Sequence, residues 1–324
     1  MSVWGSPVST CQMESTTPIL SLGILLVAVV IFCAYRVYKD KYKSRGKKRQ
    51  EVTLPVLDPV PDPIPVHEGL IHLGLLLFEG DFSRTHAAIV DGVPRTVKTF
   101  DRIEPQHAAQ VRDEQNAMEV LMDHPHRHVV DVLFVRAATI PVFFGYQDVS
   151  GFVDLYTITQ THGVLPMPTV RKYVRHVCEG LGHVHALDII HLDVRPENVL
   201  VDNDGLVKLT GFDFSIPRSM GETMRGTPEF MAPEIIVGEN FSKQVDWWAV
   251  GCLVSEMLTN SSPFVDDSVE KLVRNVFIND IVVPTHANIG PLETTFITAL
   301  LTRDPTFRLG ANGHEEVLGH EWFA

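Results

Sequence analysis

His191-Leu192-Asp193-Val194-Arg195-Pro196-Glu197-Asn198 decides the reading of this chain, together with Gly211-Phe212-Asp213 a short way downstream. The first segment sets a carboxylate, Asp193, and a carboxamide, Asn198, five residues apart. A carboxylate so placed can accept a hydroxyl proton, and the carboxamide beside it can hold a hard cation, which together are the requirements of phosphoryl transfer.

Upstream, Val170, Tyr173, Val174, Val177, Leu181 and Val184 recur at helical spacing and predict a buried helix over residues 169–188. Earlier still the period becomes strand-like. Ile71 to Phe78, Arg84 to Val90, Arg95 to Phe100, 129–136 and 140–146 are short apolar or β-branched runs between turn residues. One helix interrupts them, over residues 105–122, with Ala108, Val111, Ala117 and Leu121 on its apolar face.

The segment 191–198 resembles the catalytic loop of eukaryotic protein kinases, family pattern H-R-D-L-K-P-E-N, and Gly211-Phe212-Asp213 falls where that family has D-F-G. Gly226 to Glu234 is similar to the family segment that ends A-P-E, and Asp246-Trp-Trp-Ala-Val-Gly251 to its buried helix. Arg303 to Arg308 and His320-Glu-Trp-Phe323 look most like the cyclic-nucleotide- and lipid-regulated serine/threonine kinases. The resemblance covers about residues 68–323. It implies an α+β, bilobal fold with a small β-rich lobe and a large helical lobe.

Site roles follow from the same resemblance. Asp193 takes the catalytic-base position. Arg195 replaces a lysine that contacts the transferred phosphoryl group, and Asn198 is the metal-binding amide. Lys98 stands at the strand lysine that holds phosphate, with Glu114 as its expected ion-pair partner. Of the glycine-rich loop G-x-G-x-x-G, read here as Phe78-Glu-Gly80-Asp-Phe-Ser83, the middle Gly80 remains. Phe144-Gly145-Tyr146 is the expected hinge, with Phe144 and Tyr146 lining an adenine site. Asp246 should anchor the catalytic loop, Arg308 should pair with Glu234, and His191 should pack beside Phe212. Thr223 and Thr227 are candidate phosphorylation positions, Thr227 keeping a structural role near Asp193.

Three departures bear on the chemistry. Leu192 replaces the arginine that in relatives receives an activation-loop phosphate. Phe78 and Ser83 replace loop glycines whose bare backbone approaches phosphates. Gly211 replaces the aspartate that binds Mg²⁺ and has no ligand atom. ATP binding remains the implied cofactor contact. Mg²⁺ or Mn²⁺ is left with Asn198, and with Asp213 as the alternative ligand. Asp213 would need a backbone shift of about 6–7 Å to reach the same point. The leading expectation is a pseudokinase, a signalling or docking module with weak or no transfer that binds protein partners, another kinase among them. The alternative is an active serine/threonine kinase using Lys98, Asp193 and Asn198 with unusual metal binding.

The amino-terminal region adds a second expectation. Residues 19–35 carry no charge and as a helix span roughly 26 Å, close to the ~30 Å hydrocarbon core. The sequence thus predicts an outside or lumenal segment (1–17), a single transmembrane helix (18–36) and a basic, proline-rich linker (37–67). The kinase-like domain (68–324) then faces the cytosol. Residues 36–49 hold eight Lys/Arg against the single acid Asp40 and could meet anionic lipid. Leu54 to Pro65 has five prolines and favours extended polyproline II.

Removing those eight basic residues and the acids Glu14 and Asp40 from totals of 27 basic and 40 acidic leaves residues 51–324 at −19. So acidic a domain repels phosphate backbones, which argues against nucleic-acid binding. Cys178 and Cys252 fall in helical patterns as core thiols. His124, His126 and His128 flank a proline turn, which does not converge three imidazoles on a metal.

Overall fold

Strand periodicity dominates residues 71–146 on either side of one helix, and a six-stranded antiparallel sheet forms there in a computed structural model. The structure describes residues 64–66 and 69–324 apart from 81, 139, 218–220, 222–223, 265, 267, 279–280 and 282–288. Strands β1 (Ile64–Val66), β2 (Gly69–Glu79), β3 (Arg84–Val90) and β4 (Val93–Phe100) are followed by helix α1 (Ala108–Asp123), β5 (Val132–Arg136) and β6 (Val142–Tyr146). The sheet order is β1-β2-β3-β4-β6-β5. Asp91 and Gly92, both at positive φ (52° and 80°), make the two-residue turn from β3 to β4. Helix α1 packs Val111, Ala117, Met118 and Leu121 onto Phe100, Phe144 and Tyr146 as one core.

The second lobe begins with β7 (Phe152–Asp154), α2 (Leu155–His162), α3 (Met167–Ala186) and β8 (Ile189–Ile190). Asp154 caps α2 by accepting the Thr157 N–H at 2.8 Å. Strands β9 (Val199–Asp202) and β10 (Val207–Leu209) join β7 in a small sheet, and β11 (Ile216–Pro217) pairs with β8. Helices α4 (Pro233–Val237), α5 (Gln244–Thr259), α6 (Val269–Phe277), α7 (Pro291–Leu300) and α8 (His314–Leu318) complete it. Helix α5 is buried almost all round, with Trp247 and Trp248 wholly enclosed, so it serves as the lobe's axis.

The two-lobed α+β expectation fits this architecture, with two corrections. The proline-rich stretch, expected as polyproline II, ends in β1, where Pro65 opposes Leu70. An edge strand tolerates proline because one side of its ladder is unpaired. The expected single transmembrane helix, and the outside-to-cytosol topology built on it, is also corrected. Among the described residues no helix is long and apolar enough to cross a membrane. Residues 18–36 themselves, the segment 1–17 and the basic stretch 36–49 with its anionic-lipid contact lie outside the described residues.

Candidate functional site

Asp246 on α5 builds the loop after β8. Its Oδ2 accepts the His191 backbone N–H and its Oδ1 the Leu192 N–H, each at 2.9 Å. His185 Nε2 lies 2.7 Å from the same Oδ2. Burial alone would raise this carboxyl's pKa, but the His185 hydrogen bond and charge, with His191 behind them, hold it below the usual range. Leu192 adopts a left-handed backbone (φ 64°) that only such anchoring sustains. His191 donates its Nε2–H to Thr210 O (2.9 Å) and its ring lies 4.6 Å from Phe212. Burial pushes its pKa down, which makes it a neutral core imidazole.

Asp193 follows in this held loop. Its Oδ1 accepts the Thr227 hydroxyl at 2.6 Å and its Oδ2 the Asn198 amide at 2.7 Å. Asn198 also donates to the Asp193 carbonyl (2.8 Å), closing the turn that ends at residue 198. Arg195 lies beside the same Thr227 hydroxyl. Its Nη1 donates to Thr227 Oγ1 (2.8 Å) and its Nη2 pairs with Glu197 (3.0 Å). Thr223 lies outside the described residues.

On the small-lobe side, Lys98 of β4 lies 2.6 Å from Glu114 Oε1 and 2.5 Å from Asp213 Oδ1. Burial pushes Glu114 up to about 7, and its Oε2 has no partner. Asp213 sits in the single turn Phe212–Phe214, where Gln110 Nε2 also donates to its carbonyl at 2.9 Å. Gly211 enters that turn in the left-handed region (φ 77°), and a Cβ built there would fall on the Asn198 carboxamide. Asp213 is therefore drawn to Lys98, and the position of Gly211 is closed by Asn198. Among the described residues no group of three or more His, Cys, Asp or Glu is arranged to hold a metal ion.

The structure places the remaining expected residues as follows. Gly80 donates its N–H to Ser83 O at 2.8 Å, so it serves a tight turn between β2 and β3. Phe82 in that turn stacks on His107 (4.5 Å) and Phe100 (6.2 Å). Phe144 and Tyr146 put their side chains into the small-lobe core, Phe144 edge-on to Phe100 and the Tyr146 hydroxyl on Met118 Sδ. His124, His126 and His128 do not converge. His126 stacks on His183 (4.7 Å) and His128 on His176 (4.2 Å).

Two features were missed in the sequence. Arg225 Nη1 donates to Asp113 Oδ2 on α1 at 2.5 Å. A cavity of about 250 Å³ next to Arg195 is lined by Glu197, Glu229 and Glu256. Burial and then the charges of Glu197 and Glu229 push Glu256 up to about 7. Neither has a local sequence pattern, since each joins residues from distant segments.

A family model described as "Protein kinase domain" matches residues 76–323. The "cAMP-dependent protein kinase type 3" of Saccharomyces cerevisiae is 29% identical over 233 residues, 71% of this chain and 57% of that protein. "Protein kinase 2" of Dictyostelium discoideum is 31% identical over 217 residues, 66% of this chain and 45% of its own length. "Serine/threonine-protein kinase YPK1" of Saccharomyces cerevisiae is 32% identical over 200 residues, 57% of this chain and 29% of that protein. The chain thus spans about half the length of the first two of these relatives, and less of the third.

Proposed function

The chain belongs to the protein kinase family, and on that premise we propose that its domain, over residues 68–324, is a pseudokinase: a signalling or docking module with weak or no phosphoryl transfer. A protein kinase domain implies ATP binding in general. The observation that carries the proposal is the closure of the metal position. Gly211 supplies no ligand atom, the Asn198 carboxamide lies where a Cβ would be, and Asp213 is paired with Lys98 instead. These residues do not fit a divalent cation, which requires several oxygen ligands converging at about 2.1 Å.

A nucleotide fits better than a metal does. Lys98 offers one cation to a phosphate, although two carboxylates already share it. Glu114, with its carboxyl raised to about 7, can shed its charge by taking a proton. The acidic cavity beside Arg195, on a domain of net charge −16, supports a basic segment of a protein partner as the docked ligand. One observation favours the rival reading of an active serine/threonine kinase. Asp193 is still oriented through both carboxylate oxygens, by Thr227 and Asn198.

Calorimetric titration of the full chain with ATP, in EDTA and then in Mg²⁺, tests the reading. The expected result is binding that changes by less than about threefold between the two and disappears in Lys98→Ala. Binding strengthened more than about tenfold by Mg²⁺ would overturn it, because a metal site would then exist.

A further inference from the structure

One buried ion pair joins the small lobe to the segment that closes on Asp193. Asp113 lies on α1, immediately before the Glu114 that meets Lys98. Arg225 lies immediately before Gly226 and two residues before Thr227, whose hydroxyl holds Asp193. The two side chains are 6% and 12% exposed and meet at 2.5 Å. At that depth neither charge can turn to solvent when the other leaves, so the contact is either made or costly to lose.

The surroundings leave Arg225 little freedom. Gly226, at φ 108°, is pressed on the Leu192 carbonyl, and a Cβ there would fall on that oxygen. Leu192 is itself fixed by Asp246. A shift of Arg225 therefore pulls on Thr227 and through it on Asp193. Within α1, Gln110 contributes a second, uncharged contact to the Asp213 carbonyl. Residues 110, 113 and 114 share one helical face, so turning α1 would break all three contacts together.

We infer that Arg225 is a positioning residue: with Asp113 it sets the rotation of α1 that presents Glu114 to Lys98, and couples that rotation to the Thr227–Asp193 contact. The latch is built from two ordinary side chains and needs no added phosphate to be set. It stands on these contacts, independently of whether a nucleotide binds or is turned over.

Hydrogen exchange followed by mass spectrometry on the full chain tests this. In Arg225→Gln the amides of α1 and of residues 224–230 should exchange at least about tenfold faster while α5 keeps its protection. Asp113→Asn, which keeps the shape and removes the charge, should produce the same pattern from the other side, including the response at Thr227. Only one guanidinium nitrogen makes the contact, so Arg225→Lys should restore protection to within about twofold. Unchanged exchange in α1 after either neutral substitution would overturn the inference. An increase spread equally into α5 would overturn it too, because the pair would then be one more contact for global stability.

Discussion

Two arginines of the large lobe, Arg308 and Arg195, show how differently its two faces are constrained. Arg308 places all five of its N–H donors: two on Glu234 at 2.6 and 3.0 Å, the others on the carbonyls of Gln244, Arg303 and Thr302. Arg195, at the cleft, leaves its buried Nε without a partner and turns its fork to Thr227 and Glu197. The same contrast separates Asp246, which gathers three donors, from Gly211, which has no side chain at all. A charge buried in the floor must be satisfied by the protein itself, because water cannot reach it. A cleft residue answers to a ligand, so it can change without loss of fold. The scaffold and the chemistry are thus separable, and the proposed pseudokinase reading is that in this chain they have separated.

The floor is where substitution should hurt most. Arg308→Met strands the Glu234 carboxylate in the core and should cost about 3–5 kcal/mol, read from urea unfolding. A loss below about 1 kcal/mol would mean the floor is no more constrained than the cleft. Next comes Asp246→Asn, which weakens the charged acceptor of His191, Leu192 and His185. It should remove about 2–3 kcal/mol and lower the midpoint of thermal unfolding. Because this carboxyl titrates below its ordinary range in the folded protein, its contribution is present above that ordinary range and lost as the pH falls through the lower folded value.

Cleft substitutions should have smaller effects. Gly211→Ala puts a Cβ on the Asn198 carboxamide in a left-handed backbone and should cost about 1–3 kcal/mol. The same obstruction applies to Gly211→Asp, so restoring the carboxylate should not by itself restore transfer. The smallest effect is a slope. Glu114 is raised from 4.5 to about 7 in the folded state, so it favours folding below 4.5 and loses that contribution as the pH climbs through 7. Glu114→Gln should therefore flatten stability between 4.5 and about 7, with Glu256→Gln doing the same in part, as midpoints taken at successive pH values would show. Unaltered slopes in both variants would remove burial as the cause.

The floor was legible in the sequence because its residues sit in ordered motifs: Asp246 in a buried helix, Glu234 and Arg308 in segments that resemble known ones. The strands of residues 71–100 and the helix leading to His191 were legible for another reason, since period 2 and period 3.6 are written locally. What the sequence did not disclose depends on contacts across the chain. Asp213, by sequence the alternative metal ligand, meets Lys98, 115 residues away, a contact that no local pattern shows. The Arg225–Asp113 pair spans 112 residues and has no pattern to announce it. Strand β1 was hidden by the proline content of its neighbourhood, which hides edge strands in general. Phe144 and Tyr146 show the limit of motif reading, because the sequence places them at the hinge without telling that both side chains turn into the core.

The central claim is that the cleft has lost transfer while the floor has kept the fold. It is tested most directly by a single-turnover assay of the full chain with γ-labelled ATP, in Mg²⁺ and in Mn²⁺, beside Lys98→Ala and Asp193→Asn. The account predicts no transfer to the chain or to a basic peptide above the level of those two variants in either metal. Transfer that both substitutions abolish would contradict it, and would mean that a catalytic metal is held by residues other than Gly211.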